Sequence, residues 1–326
     1  MGDFDGARLH VVTGKGGTGK TTVAAALAIA LASRGKRVLL TEVEGRQGLA
    51  QLFDVPPLPY EERPLAVAPG HGDVYGLAVD AEEALLDYLE MFYNLRRAGR
   101  TLKRLGAIDF ATTIAPGLRD VLLTGKIKEA VARRKLDGTP HYDAVVLDAP
   151  PTGRIGRFLN VNSAVAGLAR VGPIHGQAEG VMTLLRSERT RVHLVTVLEE
   201  MPVQETVDGV AELSALGLPV GGVVVNLVRE PLLAAEDLER ARTGSLDPLD
   251  IALGLKSAGI EAADPVAAQL VTEAADHAVR ISLEEQQRDV LSRLQLPSYE
   301  LPQQPEAIDL GCLYVLAELL QEQGMA

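Results

Sequence analysis

The stretch that most constrains this chain is Gly14-Lys15-Gly16-Gly17-Thr18-Gly19-Lys20-Thr21, followed by Thr22. The apolar run Leu9 to Val12 precedes it directly, and Val23 to Leu31 continues it without a polar residue. That order predicts strand, glycine loop and helix, the context that makes a G-x-x-x-x-G-K-[ST] match a phosphate-binding loop. Glycines let the backbone curl around an anion with successive N–H groups pointing inward. A helix starting near Lys20 adds its positive end. In such a loop Lys20 neutralises the β- and γ-phosphates, and the Thr21 hydroxyl is placed to ligate Mg²⁺. The expected ligand is therefore a nucleoside triphosphate. Lys15 puts a second cation in the loop, able to stabilise charge that develops during phosphoryl transfer.

The next segments extend a βαβ pattern. Arg37 to Val43 reads as a second strand after the turn Ser33-Arg34-Gly35-Lys36, which implies a parallel sheet. Glu42, Glu44, Gly45, Arg46 and Gln47 follow at its carboxyl end, where open α/β sheets bind ligands. Residues 54–73 are rich in proline and glycine and read as an excursion from the nucleotide core. Val74 to Val79 fits a further strand. A mostly helical insertion is expected over 80–136, broken at Ala115-Pro116-Gly117, with faces such as Leu85, Leu89 and Phe92. This insertion suits either core packing or a lobe that binds a protein client.

Asp143 to Asp148 is an apolar strand ending in a carboxylate, followed by Ala149-Pro150-Pro151-Thr152-Gly153-Arg154. Downstream of a phosphate-binding loop, this predicts a Walker B strand with Asp148 in the Mg²⁺ shell. A mobile loop hinged at Gly153 would then sense the γ-phosphate. Strands at Val192–Leu198 and Val220–Leu227 flank a helix at Val203–Leu216. The segment 230–295 reads as charged and helical, and Asp309–Gln321 as a last helix. The expected fold class is α/β: a mostly parallel sheet flanked by helices, with a helical insertion, in a single domain over 1–326.

Composition narrows the classes. A formal net charge of −12 disfavours a nucleic-acid partner. The single cysteine, Cys312, excludes a disulfide framework and a Cys-x-x-Cys metal site. The start lacks the basic and apolar regions of a signal peptide, and no apolar stretch approaches a membrane span. These features predict a cytoplasmic protein with no intrinsic membrane anchor.

The motif Gly-Lys-Gly-Gly-x-Gly-Lys-Thr-Thr resembles the deviant Walker A loop of partition, septum-positioning, nitrogenase-iron-protein and arsenite-pump ATPases. In that class the extra lysine reaches across a dimer interface to the partner's nucleotide. Further motifs point to the arsenite-pump and tail-anchored-protein-targeting (guided-entry) branch, and to a single-domain member of actinobacterial type. Val38-Leu39-Leu40 through Glu44, with Leu49 and Phe53, is similar to the family's switch I. Asp148-Ala-Pro-Pro-Thr-Gly153 resembles its switch II, and Val223-Val-Val-Asn226 its strand ending in an adenine-contacting asparagine. The stretch from Leu296-Pro297 to Pro302 resembles its proline-rich nucleotide loop, and Glu200 with Glu205-Thr206 its Pro-Glu…Glu-Thr segment.

The resemblance implies an ATP- and Mg²⁺-dependent hydrolase that works as a homodimer or with a paralogous subunit. Its site residues would be Gly14 to Thr22 with Asn226 and Pro297 for the nucleotide, and Thr21 with Asp148 for the metal. Lys15, Lys20 and Glu44 would serve catalysis. Glu44 stands where the family has a water-orienting aspartate, and Gln47 where it has a histidine. The added methylene can misplace a water by about 1 Å, a shift worth on the order of a hundredfold in rate. The zinc clasp and the arsenite-sensing cysteines of the family are missing, because one cysteine cannot supply three thiolates. Two alternatives stay open at this point: a non-hydrolysing or regulatory ATP-binding subunit, and a positioning ATPase of the septum or partition type.

Overall fold

The computed structural model describes residues 2–43, 45, 47–93, 116–168, 173–305 and 307–326. Its framework follows from strand alternation and one all-apolar helix. Strand β1 (Leu9–Gly14) is buried throughout. Leu9 and Val11 enter one apolar layer and Val12 the other, as the two-residue period of a strand requires. Helix α1 (Lys20–Ala32) is buried at every position from Val23 to Ala32, as expected of a helix apolar on all sides. Its alanines let it lie close against the sheet.

The described residues form an eight-stranded sheet in the order β3-β4-β2-β5-β1-β6-β7-β8. The other strands are β2 (Arg37–Glu42), β3 (Arg63–Val67), β4 (Asp73–Ala78), β5 (Ala144–Asp148), β6 (Thr190–Thr196), β7 (Val220–Val228) and β8 (Ser298–Pro302). Every adjacent pair is parallel except β3 with β4. The α/β class with a mostly parallel sheet is therefore as the sequence implies. The proline-rich excursion contributes β3, which the sequence patterning does not reveal. Pro64 is tolerated there because β3 pairs only with β4, at the edge of the sheet.

One face of the sheet carries α1 and α11 (Leu310–Glu322), and the other carries α4 (Pro116–Ala132), α5 (Thr152–Leu168), α6 (Pro173–Leu185) and α7 (Glu200–Ala215). The short α2 (Gly48–Leu52) follows β2, and α3 (Ala81–Tyr93) follows β4. Of the expected insertion over 80–136, residues 94–115 lie outside the described residues. Its described part serves the core: Leu123, Ile127, Ala130 and Val131 on α4 are all buried. A second helical segment joins β7 to β8: α8 (Ala235–Arg242), α9 (Pro248–Ser257) and the long α10 (Ala263–Ser292). The chain leaves β1 for β2 through α1 on one face, then leaves β5 for β6 through α5 and α6 on the other. That reversal beside β1 is where doubly wound sheets place ligands, at the carboxyl ends of the strands.

Candidate nucleotide site

The loop between β1 and α1 closes on itself. The Lys15 carbonyl accepts from Thr18 Oγ1 at 2.9 Å and from Lys20 Nζ at 3.3 Å. Gly19 is the N-cap of α1, with φ of 84° and no side-chain cap. The N–H groups of the first helical turn are thus offered to a ligand rather than consumed by a capping side chain. Asn226, on β7 and buried, donates from Nδ2 to Thr18 O at 2.9 Å and holds the back of the loop. A Cβ at residue 19 would collide with that amide, so close approach and positive φ both require glycine there.

Two residues at strand carboxyl ends, Glu42 and Asp148, converge with Thr21 of α1 below the loop. Thr21 Oγ1 donates to Asp148 Oδ2 at 2.7 Å. Glu42 is paired in register with Asp148 across β2 and β5. Glu42 is 4% exposed, and its carboxylate accepts from Gln47 N at 2.8 Å and Leu49 N at 3.1 Å, capping α2. Glu44, the expected catalytic carboxylate, lies outside the described residues, as does Arg46. The carboxylate beside Thr21 and Asp148 among the described residues is therefore Glu42. Strand periodicity supplies the signal, since Glu42 is the last residue of β2.

The loop after Asp148 is tied down at its start. Ala149 N donates to Val12 O at 2.9 Å and Thr13 Oγ1 to Pro150 O at 2.7 Å. Gly153, expected as a hinge, lies in the first turn of α5. A Cβ there would meet nothing within 4 Å, and φ is not in the left-handed region. Two side chains carry this region outward. Thr152 Oγ1 donates to Glu205 Oε2 on α7 at 3.1 Å, and Lys15 Nζ stands 3.1 Å from Glu205 Oε1. Arg154 Nη2 lies 3.7 Å from Asp120 Oδ1 on α4. Burial pushes the Asp120 carboxyl up, against the downward pull of Arg154.

The outer side of the loop, Lys15 to Thr18, walls a cleft of about 970 Å³ shared with the start of α7 and with Arg280 and Glu284 of α10. That size suits a nucleotide-sized ligand. Leu227, Arg229 and Gln303 line its far end. Pro297 does not: it lies at the amino end of β8, where its carbonyl accepts from Val223 N at 2.9 Å. The proline at the carboxyl end of that strand is Pro302. Thr22 sits half-buried in the first turn of α1. Among the described residues no group of three or more His, Cys, Asp or Glu side chains forms a metal cage.

The sequence matches the anion-transporting ATPase family over residues 7–187. The chain belongs to that family. The matched span holds the glycine loop, Glu42 and Asp148, and the chain is a nucleotide-binding ATPase, as the motifs imply. It is 55% identical over 322 residues to ATPase BagA of Mycobacterium tuberculosis, covering 99% of this chain and 95% of that protein. It is 30% identical over 247 residues to the arsenical pump-driving ATPase of Acidiphilium multivorum, covering 69% of this chain and 40% of that longer protein. The ATPase ASNA1 homolog of Entamoeba dispar is 25% identical over 255 residues, covering 67% of this chain and 75% of that protein. No helix among the described residues is long and apolar enough to cross a membrane.

Proposed function

We propose that this chain, taken over 1–326 as one ATPase unit, is a Mg²⁺-dependent ATP hydrolase whose cycle joins and separates two such chains. The observation that carries the reading is the hydrogen bond from Thr21 Oγ1 to Asp148 Oδ2 at 2.7 Å, directly under a loop with an uncapped helix start. A hydroxyl and a carboxylate at hydrogen-bond distance are the pair that would hold Mg²⁺ between them when it arrives with the phosphates. The ion would supply charge neutralisation to the β- and γ-phosphates.

This chain's own groups do the rest. The first-turn N–H groups of α1 and the Lys20 ammonium bind and orient the triphosphate. Gly14 and Gly16 to Gly19 give the backbone its close approach, with Thr22 extending the cradle. Asn226 holds the loop from behind and stands near the base. Glu42 is engaged by two backbone donors, which leaves the water-orienting role to Glu44. Lys15 acts on the phosphates of the partner chain, where a second cation stabilises developing charge. The partner is a second copy of this chain or a paralogous subunit.

The nucleotide state reaches the helical segment through Arg154 and Asp120, which join the first turn of α5, just after the Asp148 loop, to α4, and a protein client is the proposed load on the 80–136 lobe. The acidic balance supports a protein rather than a nucleic-acid partner, and the site needs no membrane anchor. The test is phosphate release from Mg·ATP, with solution mass followed in the same samples. Lys20→Ala is expected to abolish nucleotide binding. Lys15→Ala is expected to retain binding and to lose turnover by about a hundredfold or more. Full turnover in Lys15→Ala would refute the role of that lysine across the interface.

A further inference from the structure

Lys15 is not held by the loop it belongs to. Its Nζ is 3.1 Å from Glu205 Oε1, and both side chains are about one-third exposed, at 30% and 36%. The other oxygen of the same carboxylate accepts from Thr152 Oγ1 at 3.1 Å. Thr152 is buried, opens α5, and follows directly on the Asp148-Ala-Pro-Pro segment. The support beneath Glu205 is rigid. Thr206 beside it is buried and bonds back to Pro202 O at 2.8 Å. One turn further along α7, Gly209 is buried, and a Cβ there would stand 3.5 Å from Thr152 Cγ2. One carboxylate therefore bridges the extra lysine of the phosphate-binding loop to the loop that follows the metal-shell aspartate.

We infer that Glu205 is a positioning residue that holds Lys15 within its own chain and releases it when the start of α5, which carries Thr152, moves, so that Lys15 exchanges this carboxylate for a phosphate of the partner's nucleotide. The inference rests on the dimer reading proposed above and deepens it by naming what restrains the lysine. The physical basis is competition. The Glu205 carboxylate and a phosphate across an interface compete for the charge of one ammonium, and the contact at 3.1 Å draws Lys15 toward its own chain. The hydrogen bond from Thr152 adds the coupling, because displacement of Thr152 removes one of the two contacts that orient the carboxylate toward Lys15. Lys20 is anchored differently, to the Lys15 carbonyl, so the restraint acts on one lysine and leaves the other in its cradle.

Glu205→Gln removes the charge and keeps an oxygen that can accept from Thr152. A partly exposed ion pair is worth a factor of about two to five in an equilibrium, and a dimer breaks two of them. The chain concentration giving half-maximal Mg·ATP turnover is therefore expected to fall by about fourfold to twenty-five-fold in Glu205→Gln. A second measurement reads the restraint alone. The rate of Lys15 acylation by a water-soluble active ester, followed by mass spectrometry, is expected to rise in Glu205→Gln, with exposed Lys135 unchanged as the internal reference.

Unchanged Lys15 acylation would overturn the inference whatever turnover does. Faster acylation with turnover that does not depend on chain concentration would overturn the dimer reading, and with it the exchange, while leaving the ion pair itself established. Faster acylation with a concentration-dependent turnover whose midpoint stays in place would overturn the inference alone. Faster acylation with a lowered midpoint supports both.

Discussion

Glu42→Gln tests whether the turn after β2 is built on a capped helix or on a chemical participant. Glu42 is 4% exposed, and its carboxylate accepts from Gln47 N and Leu49 N, at 2.8 and 3.1 Å. Hydrogen bonds to a charged acceptor contribute about 1.5–3 kcal/mol each. Glutamine keeps the shape but has one acceptor oxygen and one NH₂. One bond weakens to a neutral one of about 1 kcal/mol, and the other N–H faces a donor and is left unsatisfied, at about 1–3 kcal/mol. Relief of a buried charge offsets part of the loss. The net expectation is a loss of about 2 kcal/mol of stability. Urea unfolding followed by far-UV circular dichroism and by tyrosine fluorescence measures it, with the slope compared to the parent to check that the unfolded state is unchanged. Stability within about 0.5 kcal/mol of the parent, the usual range of a neutral surface change, would refute the capping argument. A variant of parental stability that no longer turns over would instead assign Glu42 to the chemistry.

Two more outcomes follow from buried contacts. Gly19→Ala forces a Cβ into the left-handed region at about 1–2 kcal/mol and into the Asn226 amide. It should cost about 2–3 kcal/mol of stability, since the Asn226 bond to Thr18 O is also strained. It should weaken nucleotide binding by calorimetry at least tenfold, and parental affinity would show that the loop tolerates a shift of Asn226. The second outcome concerns pH. His10 Nδ1 and His193 Nε2 lie 3.1 Å apart on neighbouring strands, both wholly buried, and Gly222 N donates to His193 Nδ1 at 3.2 Å. His193 therefore carries its proton on Nε2 and donates it to His10, and a second proton has no acceptor. Burial pushes His10 down to about 4 and His193 well below its ordinary value. Both folded values lie below the unfolded value of about 6.5. Their contribution is therefore complete above pH 6.5 and is lost as pH falls through that value toward 4. The urea midpoint should drop over that window, and less so in His10→Asn. Identical pH profiles for the two proteins would refute the assignment.

Local pattern made much of the architecture legible. The apolar run, glycine loop and alanine-rich helix specify their own conformations within a few residues, so β1, the loop and α1 can be read without knowing what surrounds them. β5 ending at Asp148 and the parallel class follow from the same short-range logic. Position 153 shows its limit: the glycine of a loop-like motif lies within α5, which begins one residue earlier. β3 was hidden because its proline reads as a breaker, and only pairing with β4 at a free edge makes it a strand.

The sequence by itself determined the glycine loop, the strand ending at Asp148 and the sheet class, because each depends on neighbours in the chain. The tertiary structure decided what lies against them. Asn226 meets the loop across 208 residues, and Glu205 meets Lys15 only because β6 and α7 pack beside β1. The same holds for Glu42, whose place beside Thr21 and Asp148 comes from its register with β5. Sequence spacing carries no record of such contacts, since they are set by strand order and by which face each helix covers. The residues proposed to bind phosphate are local, and the side chains that touch them are brought in by packing.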